Sequence, residues 1–568
     1  MNSRPRISLI LACFIFSLMV LFGSHSSVFS ADAIWNGGTG FWNNTGNWSG
    51  GFVPNGAYNV LIDGGKTGVT SIVTLDVDAS ITGLTIDANS TAPNDKLIIG
   101  NGRVLTLTGT ANVLNNGTIE MAPSNADTYF ILGASTVTLS GSGEFVLGAG
   151  DNGVRSRISS NNTAYRLTNN AGHTIRGAGY IGLANMLLTN NGTITADNSS
   201  SPLYVQLSGT AINTGTMQAI NGASLQLLGQ NFTNTGGTIQ ATGANSNVLL
   251  VSGATITGGN ITTDSVGIVG TLNTGTLDGV NITSGSSFKG LNGSATYLQH
   301  TITNQGTMTI ASANANTFFT LNSATVTLTG GGTLVLDAGD NGQRSRISSM
   351  NNAYVLVNDT DNKIRGAGYV GEANLILNNK GTITADNSTY NLIINPYSTS
   401  TNTGTIQAIG GATLQLWNKA YTNTGGTILA NGTNSTVLLA GGATVTGGSL
   451  TTASGGLIAT AGGQTGTLDN ITLTSGSSFL GQNGSVTYLQ HTITNQGTMT
   501  IGVPAGNADT RFYVDSTGFT LTGGGTLVLD PGDNGIRARI SSSNNAYVLI
   551  NDTDNKIRGA GYVGEANL

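Results

Sequence analysis

Hydrophobic and polar residues alternate along short stretches of this chain, and asparagine or glycine ends most of the stretches. Segments such as "SLQLLG" (224–229) and "ATLQLW" (412–417) place leucine on one face of an extended strand and threonine or glutamine on the other. The phrase around Gly192 returns around Gly215 and Gly237, at spacings of 23 and 22 residues. This pattern predicts short strands that are stacked coil upon coil.

A coil of this length cannot bury its own apolar face, and stacking the coils solves that problem. We therefore predict an all-β fold, a right-handed parallel β-helix (β-solenoid) with about 22 residues per coil and an aromatic amino-terminal cap. Asparagine and glycine tolerate left-handed backbone at the corners, and stacked asparagine side chains can hydrogen-bond along the rod. About twenty coils at roughly 4.8 Å each would form a rod on the order of 100 Å long.

A longer repeat is superimposed on the coils. "YLQHTITNQGTMTI" begins at Tyr297 and again at Tyr488, 191 residues later, and "GDNG" begins at Gly150, Gly339 and Gly532. The third copy stops where the second continues, so we expect a fragment of a longer protein. The predicted division is a signal peptide (1–30), an amino-terminal cap (31–63), the first β-helix coils (64–114), repeat unit one (115–303), repeat unit two (304–494) and a truncated repeat unit three (495–568).

The amino terminus reads as a secretory signal peptide. Arg4 and Arg6 precede an apolar run over 7–22, and small residues follow near Ser30. We expect a protein that is secreted or held at the bacterial cell surface. Cys13, the one cysteine, lies inside this segment, so the mature chain has no disulfide.

Composition narrows the classes of partner. Charged residues are only 8% of the chain and glycine contributes 84 residues, which favours strands and tight turns over helices. The formal charge of −6 argues against a nucleic-acid partner, because phosphate binding uses clustered lysine and arginine. No later stretch is apolar enough to span a membrane as a helix, so we expect no membrane span in the mature chain.

Three of the four tryptophans fall within fourteen residues near the amino terminus, in "WNGGTGFWNNTGNW". The open end of a stack of coils must be covered, so Trp35, Trp42 and Trp48 are predicted to form a cap over the first coil. Exposed tryptophan rings can also stack on sugars, and a carbohydrate platform is the alternative.

A charged motif recurs in every unit, as "DNGVRSRISS" with "TIRGAGY" in unit one. Arg155 and Arg157 are two residues apart and could pair with Asp151 to fasten a loop. The same arginines could instead present a basic patch to an acidic glycan, at regular intervals of eight or nine coils suited to a long polymer. The candidate glycan-binding residues are Arg155, Arg157, Arg176, Arg344, Arg346, Arg365, Arg537, Arg539 and Arg558.

Catalytic chemistry is scarce in the sequence. The chain has four glutamates and no adjacent aspartate pair for glycoside hydrolysis. Alternation puts His300 on the face of Leu298 and Ile302, which predicts a hydrogen-bonded interior histidine, and His491 occupies the same place in the next unit. We expect no enzyme and no cofactor.

The segment "DAGDNG" raises the question of calcium. Asp337, Asp340 and Asn341 resemble a calcium turn, but their spacing departs from the EF-hand pattern. A plain Asn-Gly turn is the preferred interpretation, and we expect no metal.

The segment "WNGGTGFWNNTGNWSGGFVPNGAYNVLID" followed by "NxGTI" repeats resembles bacterial exported β-solenoid surface proteins, including autotransporter passengers and filamentous-haemagglutinin-like adhesins. This resemblance implies a scaffold fold and export. The function expected is non-catalytic, in adhesion, matrix or aggregation, with polysaccharide or another cell-surface ligand as the possible partner. The alternatives are a secreted carbohydrate-active β-helix enzyme, either a lyase or a glycoside hydrolase, and a pure structural scaffold.

Overall fold

The computed structural model describes residues 31–62, 69–86, 94–109, 111–264, 266–565 and 568. The predicted signal peptide, 1–30, lies outside the described residues. The described chain contains 67 β-strands and one short 3₁₀ helix, Thr45–Asn47. The prediction of an all-β solenoid is confirmed.

The strands form three parallel sheets that make the three faces of a rod with about 22 turns and about 23 residues per coil. Each strand pairs with the strand one coil before it and the strand one coil after it. For example, Thr216–Ile220 lies between Thr193–Ala196 and Thr238–Thr242, in parallel register. Successive strands of the chain therefore visit the three faces in turn.

The faces are named here by their strands. Face one contains Ala79–Ile81, Val104–Leu107, Thr128–Leu132, Ser156–Ser160, Gly179–Ile181, Leu203–Gln206, Ser224–Leu228, Asn247–Val251, Ile268–Thr271, Ser287–Gly290, Thr307–Ile310, Thr333–Leu336, Lys363–Gly366, Thr382–Ala385, Thr405–Ile409, Thr427–Asn431, Ser449–Ala453, Thr472–Leu473, Thr492–Asn495, Phe519–Thr522 and Leu549–Asn551. Face two contains Ala31–Ile34, Tyr58–Ile62, Gly83–Ile86, Ala111–Asn115, Thr136–Ser140, Arg166–Asn169, Leu187–Asn190, Ala211–Asn213, Asn231–Thr233, Ala254–Thr257, Thr274–Asp278, Ala295–Gln299, Thr317–Leu321, Ser345–Ser349, Gly368–Val370, Leu392–Ile394, Thr413–Trp417, Thr436–Ala440, Leu457–Thr460, Ser478–Gly481, Thr498–Ile501, Thr526–Leu529 and Lys556–Gly559. Face three contains Thr39–Phe41, Ile72–Leu75, Lys96–Ile99, Thr118–Met121, Glu144–Leu147, Thr174–Gly177, Thr193–Ala196, Thr216–Ile220, Thr238–Thr242, Asn260–Thr263, Asn281–Ile282, Thr301–Asn304, Thr325–Thr329, Val355–Asn358, Ile376–Asn379, Ser400–Asn402, Ala420–Thr422, Ala443–Thr446, Thr465–Asp469, Val486–Gln490, Thr510–Val514, Ala538–Ser542 and Tyr562–Val563.

Alternation along each strand separates the core from the surface. In the strand Thr216–Ile220, Met217 and Ala219 are buried while Gln218 between them points outward. Ile194 and Ile239 stack on Met217 from the coils before and after it. The apolar side chains therefore form continuous columns inside the rod, which one coil alone could not bury.

Buried asparagines hydrogen-bond to one another along the rod, as the sequence predicts. The Nδ2 of Asn169 donates to the Oδ1 of Asn190 at 2.8 Å, Asn190 donates to Asn213 at 2.7 Å, and Asn213 donates to Asn234 at 2.6 Å. Each amide thereby satisfies a polar group that has no access to water. The same ladder recurs in unit two with Asn358, Asn379, Asn402 and Asn423.

Successive repeat units are rotated about the rod by one face. The motif strand Ser156–Ser160 of unit one is the 14th strand of the chain, Ser345–Ser349 of unit two is the 39th, and Ala538–Ser542 of unit three is the 64th. Each step is 25 strands, which is eight coils of three strands plus one strand. The three copies of the motif therefore lie on face one, face two and face three in turn.

The cap belongs to the first coils instead of preceding them. Ala31–Ile34 pairs with Tyr58–Ile62, and Thr39–Phe41 pairs with Ile72–Leu75, so the cap begins faces two and three. Face one begins only at Ala79–Ile81. The outer edge of that strand is covered by the Asn55–Gly56 turn, through a bond from the Ser80 amide to Asn55 Oδ1 at 3.0 Å.

Candidate functional site

The recurring motif begins in an irregular loop, 148–155, between two strands of unit one. Arg155 holds this loop with a bidentate contact to Asp151, at 2.7 Å and 3.4 Å, and a third bond to Asp127 at 3.0 Å. The bonds from Arg155 lower the pKa of Asp151. Gly150 lets the arginine stem pass, since a Cβ at that position would lie 2.5 Å from Arg155 Cγ.

Arg157 belongs to an aromatic column on face one. Its Nη2 donates to Asp127 at 2.9 Å, and its guanidinium carbon lies 5.9 Å from the ring centroid of Tyr129 and 5.8 Å from that of Tyr180. Tyr180 stacks on Tyr204 of the next coil at 4.7 Å. We call Tyr129, Arg157, Tyr180 and Tyr204 the outer column of unit one. The guanidinium is held between two rings and a carboxylate, which fixes it in position.

Arg176 joins three coils of face three. Its Nε and Nη2 donate to Glu144 at 2.7 Å and 3.0 Å, and its Nη1 donates to Asp197 at 3.0 Å. The hydrogen bonds from Arg176 lower the pKa of Glu144. The guanidinium is thus neutralised on both sides.

Unit two repeats this arrangement on face two. Arg344 Nε donates to Asp340 at 2.7 Å, as Arg155 does to Asp151. Arg346 pairs with Glu372, and its guanidinium carbon lies 5.1 Å from the ring centroid of Tyr369.

Unit three repeats it on face three. Arg537 Nε donates to Asp533 at 2.8 Å, and Arg537 and Arg539 share Asp509 at 3.2 Å and 3.0 Å. The guanidinium carbon of Arg539 lies 5.0 Å from the ring centroid of Tyr562. The three units therefore differ in detail but keep an arginine beside a tyrosine and a carboxylate.

The third arginine of the motif is less uniform. Arg365 contacts Asp386 at 2.9 Å, but its side chain is 49% exposed, and Thr333 stands where Glu144 stands in unit one. Arg558 is exposed and makes no ion pair with any residue that the structure describes.

These contacts correct one detail of the sequence prediction. Arg157 pairs with Asp127 of the preceding coil instead of Asp151, and Arg155 lies in the loop before the strand. With one exception, Arg558, each of the nine candidate arginines has a carboxylate partner. These eight arginines are therefore neutralised by their partners, and glycan binding by the nine candidate arginines stays a prediction.

The rotation between units also changes the expected arrangement of the candidate residues. The copies are spaced evenly along the rod, but they face three different directions. A straight polymer lying on one face would therefore meet only one of the three copies. The sequence did not predict the tyrosines that pair with these arginines, Tyr180 in unit one, Tyr369 in unit two and Tyr562 in unit three. Each lies one coil after its arginine, within "RGAGY".

The three cap tryptophans are buried, with at most 2% of their surface exposed. The ring of Trp48 lies edge-to-face against Trp35 at 5.0 Å and against Trp42 at 4.8 Å. Each indole N–H donates to a backbone carbonyl, those of Gly38, Pro54 and Trp42. Rings buried in this way offer no open face to a sugar, and their role as a cap stays a prediction.

The prediction of an interior position for His300 is wrong. Its backbone has φ +54°, a left-handed corner that breaks the alternation between two strands, and its side chain is 69% exposed. The hydrogen-bonded part of the expectation holds, because Nδ1 contacts Asp278 at 2.5 Å. His491 repeats this geometry with Asp469 at 2.6 Å.

His173 is the buried histidine of the described chain. Its Nδ1 contacts Asn169 Oδ1 at 2.7 Å, and its Nε2 contacts the Nδ2 of Asn115 at 3.1 Å. Burial lowers the pKa of His173 to about 4, so the ring is neutral at neutral pH. Asn362 is the equivalent residue in unit two, where it contacts the ladder residue Asn358.

In the "DAGDNG" loop, the carboxylate of Asp340 forms an ion pair with Arg344. Among the residues that the structure describes, histidine, cysteine, aspartate and glutamate form no group of three or more that could hold a metal ion. Burial raises the pKa of Asp337.

No family model, curated protein or solved structure matches this chain. The described residues also include no helix with the length and hydrophobicity needed to cross a bilayer.

Proposed function

We propose that this chain is a non-catalytic, exported surface solenoid that acts in adhesion, matrix building or aggregation. The supporting observation is the rotation of successive units, which puts related surfaces on all three faces of the rod. A rod of this kind can contact partners on every side. Several weak contacts of this sort combine into strong avidity without any single strong site.

The partner in this proposal is a polysaccharide or another cell-surface ligand. The outer columns are charge-balanced, with Arg157, Arg346 and Arg539 each paired to a carboxylate. We infer that these pairs brace the irregular loops, and glycan binding by the arginines stays the alternative.

Export is tested by expressing residues 1–568 in a bacterium and sequencing the amino terminus of the product. We expect cleavage near Ser30 and recovery outside the cytoplasm. A chain that lacks 2–30 should stay inside the cell. Retention of the full chain in the cytoplasm with its leader intact would contradict export.

Adhesion is tested by mixing purified 31–568 with bacterial cells and with their isolated polysaccharide. We expect the protein to sediment with them and to link cells into aggregates, without releasing reducing ends or unsaturated sugars. Release of either product would favour a hydrolase or a lyase. Absence of both binding and turnover would favour a pure scaffold.

A further inference from the structure

One corner of unit two departs from the same corner of unit one, between phrases that both units share. The flanking phrases are "LQL" on one side and "TNTGGTI" on the other. The residues considered between these phrases in unit two are Trp417, Asn418, Lys419 and Tyr421, and Tyr397 lies at the same corner of the preceding coil. Their equivalents in unit one are Leu228, Gly229, Gln230, Phe232 and Ser208. Unit two therefore has two additional aromatic rings, Tyr397 and Trp417, and the hydroxyl group of Tyr421. It also has the ammonium group of Lys419, while the amide of Asn418 takes over from that of Gln230.

Trp417 lies at the end of the strand Thr413–Trp417 and points outward, with 36% of its surface exposed. Its ring rests on the next coil, where a Cβ on Gly441 would lie 3.1 Å from the ring. Unit one has Ser252 at the position of Gly441. Ala440, the register partner of Trp417, likewise replaces a larger valine of unit one. The next coil has smaller residues under the ring.

A buried hydroxyl holds the backbone of this tryptophan. Tyr421 is 1% exposed, its hydroxyl accepts a hydrogen bond from the Trp417 amide at 3.0 Å, and it donates to the Ile394 carbonyl at 2.7 Å. Phe232 in unit one has no hydroxyl to make these bonds. Tyr421 is therefore a positioning residue for Trp417.

Polar residues lie at this corner and at the same corner of the preceding coil. Tyr397, three residues after the strand Leu392–Ile394 of the preceding coil, is 45% exposed. Asn418 is exposed at a left-handed corner with φ +53°. Lys419 follows directly. The corner therefore combines one flat apolar surface with several hydrogen-bond donors.

We propose that this corner is a glycan-binding site in which a sugar ring stacks on Trp417. The flat ring matches the apolar side of a pyranose, and Tyr397, Asn418 and Lys419 can bond its hydroxyl or carboxylate groups. A peptide side chain would instead need an apolar groove. This inference specifies a glycan as the ligand of the adhesive function proposed above, and it rests on that proposed function.

The tryptophan inventory allows a direct test on purified 31–568. The three cap tryptophans are buried and Trp417 is exposed, so acrylamide quenching of fluorescence reports mainly on Trp417. The probes are hydroxyethylcellulose, which is neutral, and polygalacturonate, which is acidic. We expect at least one polymer to protect Trp417 from acrylamide.

Variants then locate the site by affinity electrophoresis in gels that contain the polymer. W417L restores the residue of unit one and should weaken binding at least tenfold. K419Q, also the unit-one residue, should weaken binding of polygalacturonate only. M350A removes another exposed apolar side chain, three coils before Trp417, and should bind like the unmodified chain.

Two outcomes would overturn the site. One is lack of protection of Trp417 by both polymers, and the other is W417L binding as tightly as the unmodified chain. If an R365A variant loses polymer binding while W417L keeps it, the glycan binds at the candidate arginines instead. The adhesive function would survive either result if the chain still aggregates cells.

Discussion

Arg157 and Tyr180 are 23 residues apart in the chain and neighbours on the outer surface of face one, with the guanidinium carbon 5.8 Å from the ring centroid. The spacing equals one coil. The same pair is formed by Arg346 with Tyr369 on face two. In unit one the arginine follows the irregular loop 148–155, which separates two strands.

Arg157→Ala should therefore destabilise the coils around it. The substitution removes a charged hydrogen bond to Asp127 and a guanidinium packed between two rings, and we expect a loss of about 1–3 kcal/mol. Thermal melting followed by far-ultraviolet circular dichroism measures the effect. Arg365→Ala, which removes one contact of a half-exposed side chain, is the control and should change the melt little. Equal melts for both variants would contradict a bracing role.

His173 should make the protein sensitive to mild acid. The unfolded ring has a pKa near 6.5 and the folded ring about 4, so the unfolded chain binds more protons between these values. Stability should fall as the pH drops from 6.5 toward 4, by at most about 3 kcal/mol. His173→Asn, which copies Asn362 of unit two, should remove this slope. Denaturant midpoints at pH 7.5 and pH 4.8 decide the matter, and equal slopes for both chains would refute the assignment.

The cap should depend on Trp48, which contacts both other tryptophans. Trp48→Ala removes a fully buried ring, at a cost of about 3–5 kcal/mol, and should open the first coils to other chains. Light scattering during size-exclusion chromatography should detect self-association. Phe41→Ala, at a cap residue that is 59% exposed, is the matched control. A Trp48→Ala chain that stays monomeric and melts normally would show that the cap is dispensable.

The asparagine ladder gives a local prediction. Asn190→Ala removes the shortest of the bonds that Asn169 Nδ2 donates and leaves the Oδ1 of Asn213 without its donor. The unsatisfied oxygen costs about 1–3 kcal/mol. Amide hydrogen exchange should accelerate in the flanking coils. Asn191→Ala changes a neighbouring amide that bonds a surface hydroxyl, and exchange there should stay near normal. Similar exchange in both variants would argue against the ladder as a stabilising element.

Much of the fold could be predicted because alternation and asparagine-rich corners are local features. The strand that contains Met217 and the stacking of Asn190 on Asn213 both follow from these patterns. The position of His300 could not be predicted, because a left-handed corner interrupts the alternation there. Histidine at this corner signals left-handed backbone in a sequence less strongly than glycine or asparagine would.

The candidate site was harder to predict because it depends on register. Tyr180 contacts Arg157 only because the intervening coil has 23 residues, and coil length varies. A coil takes 19 residues between Thr174 and Thr193 but 30 between Glu144 and Thr174. Residue counting therefore gives eight or nine coils per unit and cannot reveal the extra strand that rotates each copy.

That extra strand has a consequence for how such a chain can change in length. Gain or loss of one unit, such as 304–494, would join equivalent points of the repeat. Each strand at the junction would still pair with a strand equivalent to its original partner. Everything beyond the junction would nevertheless swing by a third of a revolution and shift about 40 Å along the axis. Only a change of three units restores the original azimuth. Recombination between repeats would thus change both the direction that the far end of the rod faces and its distance from the amino terminus.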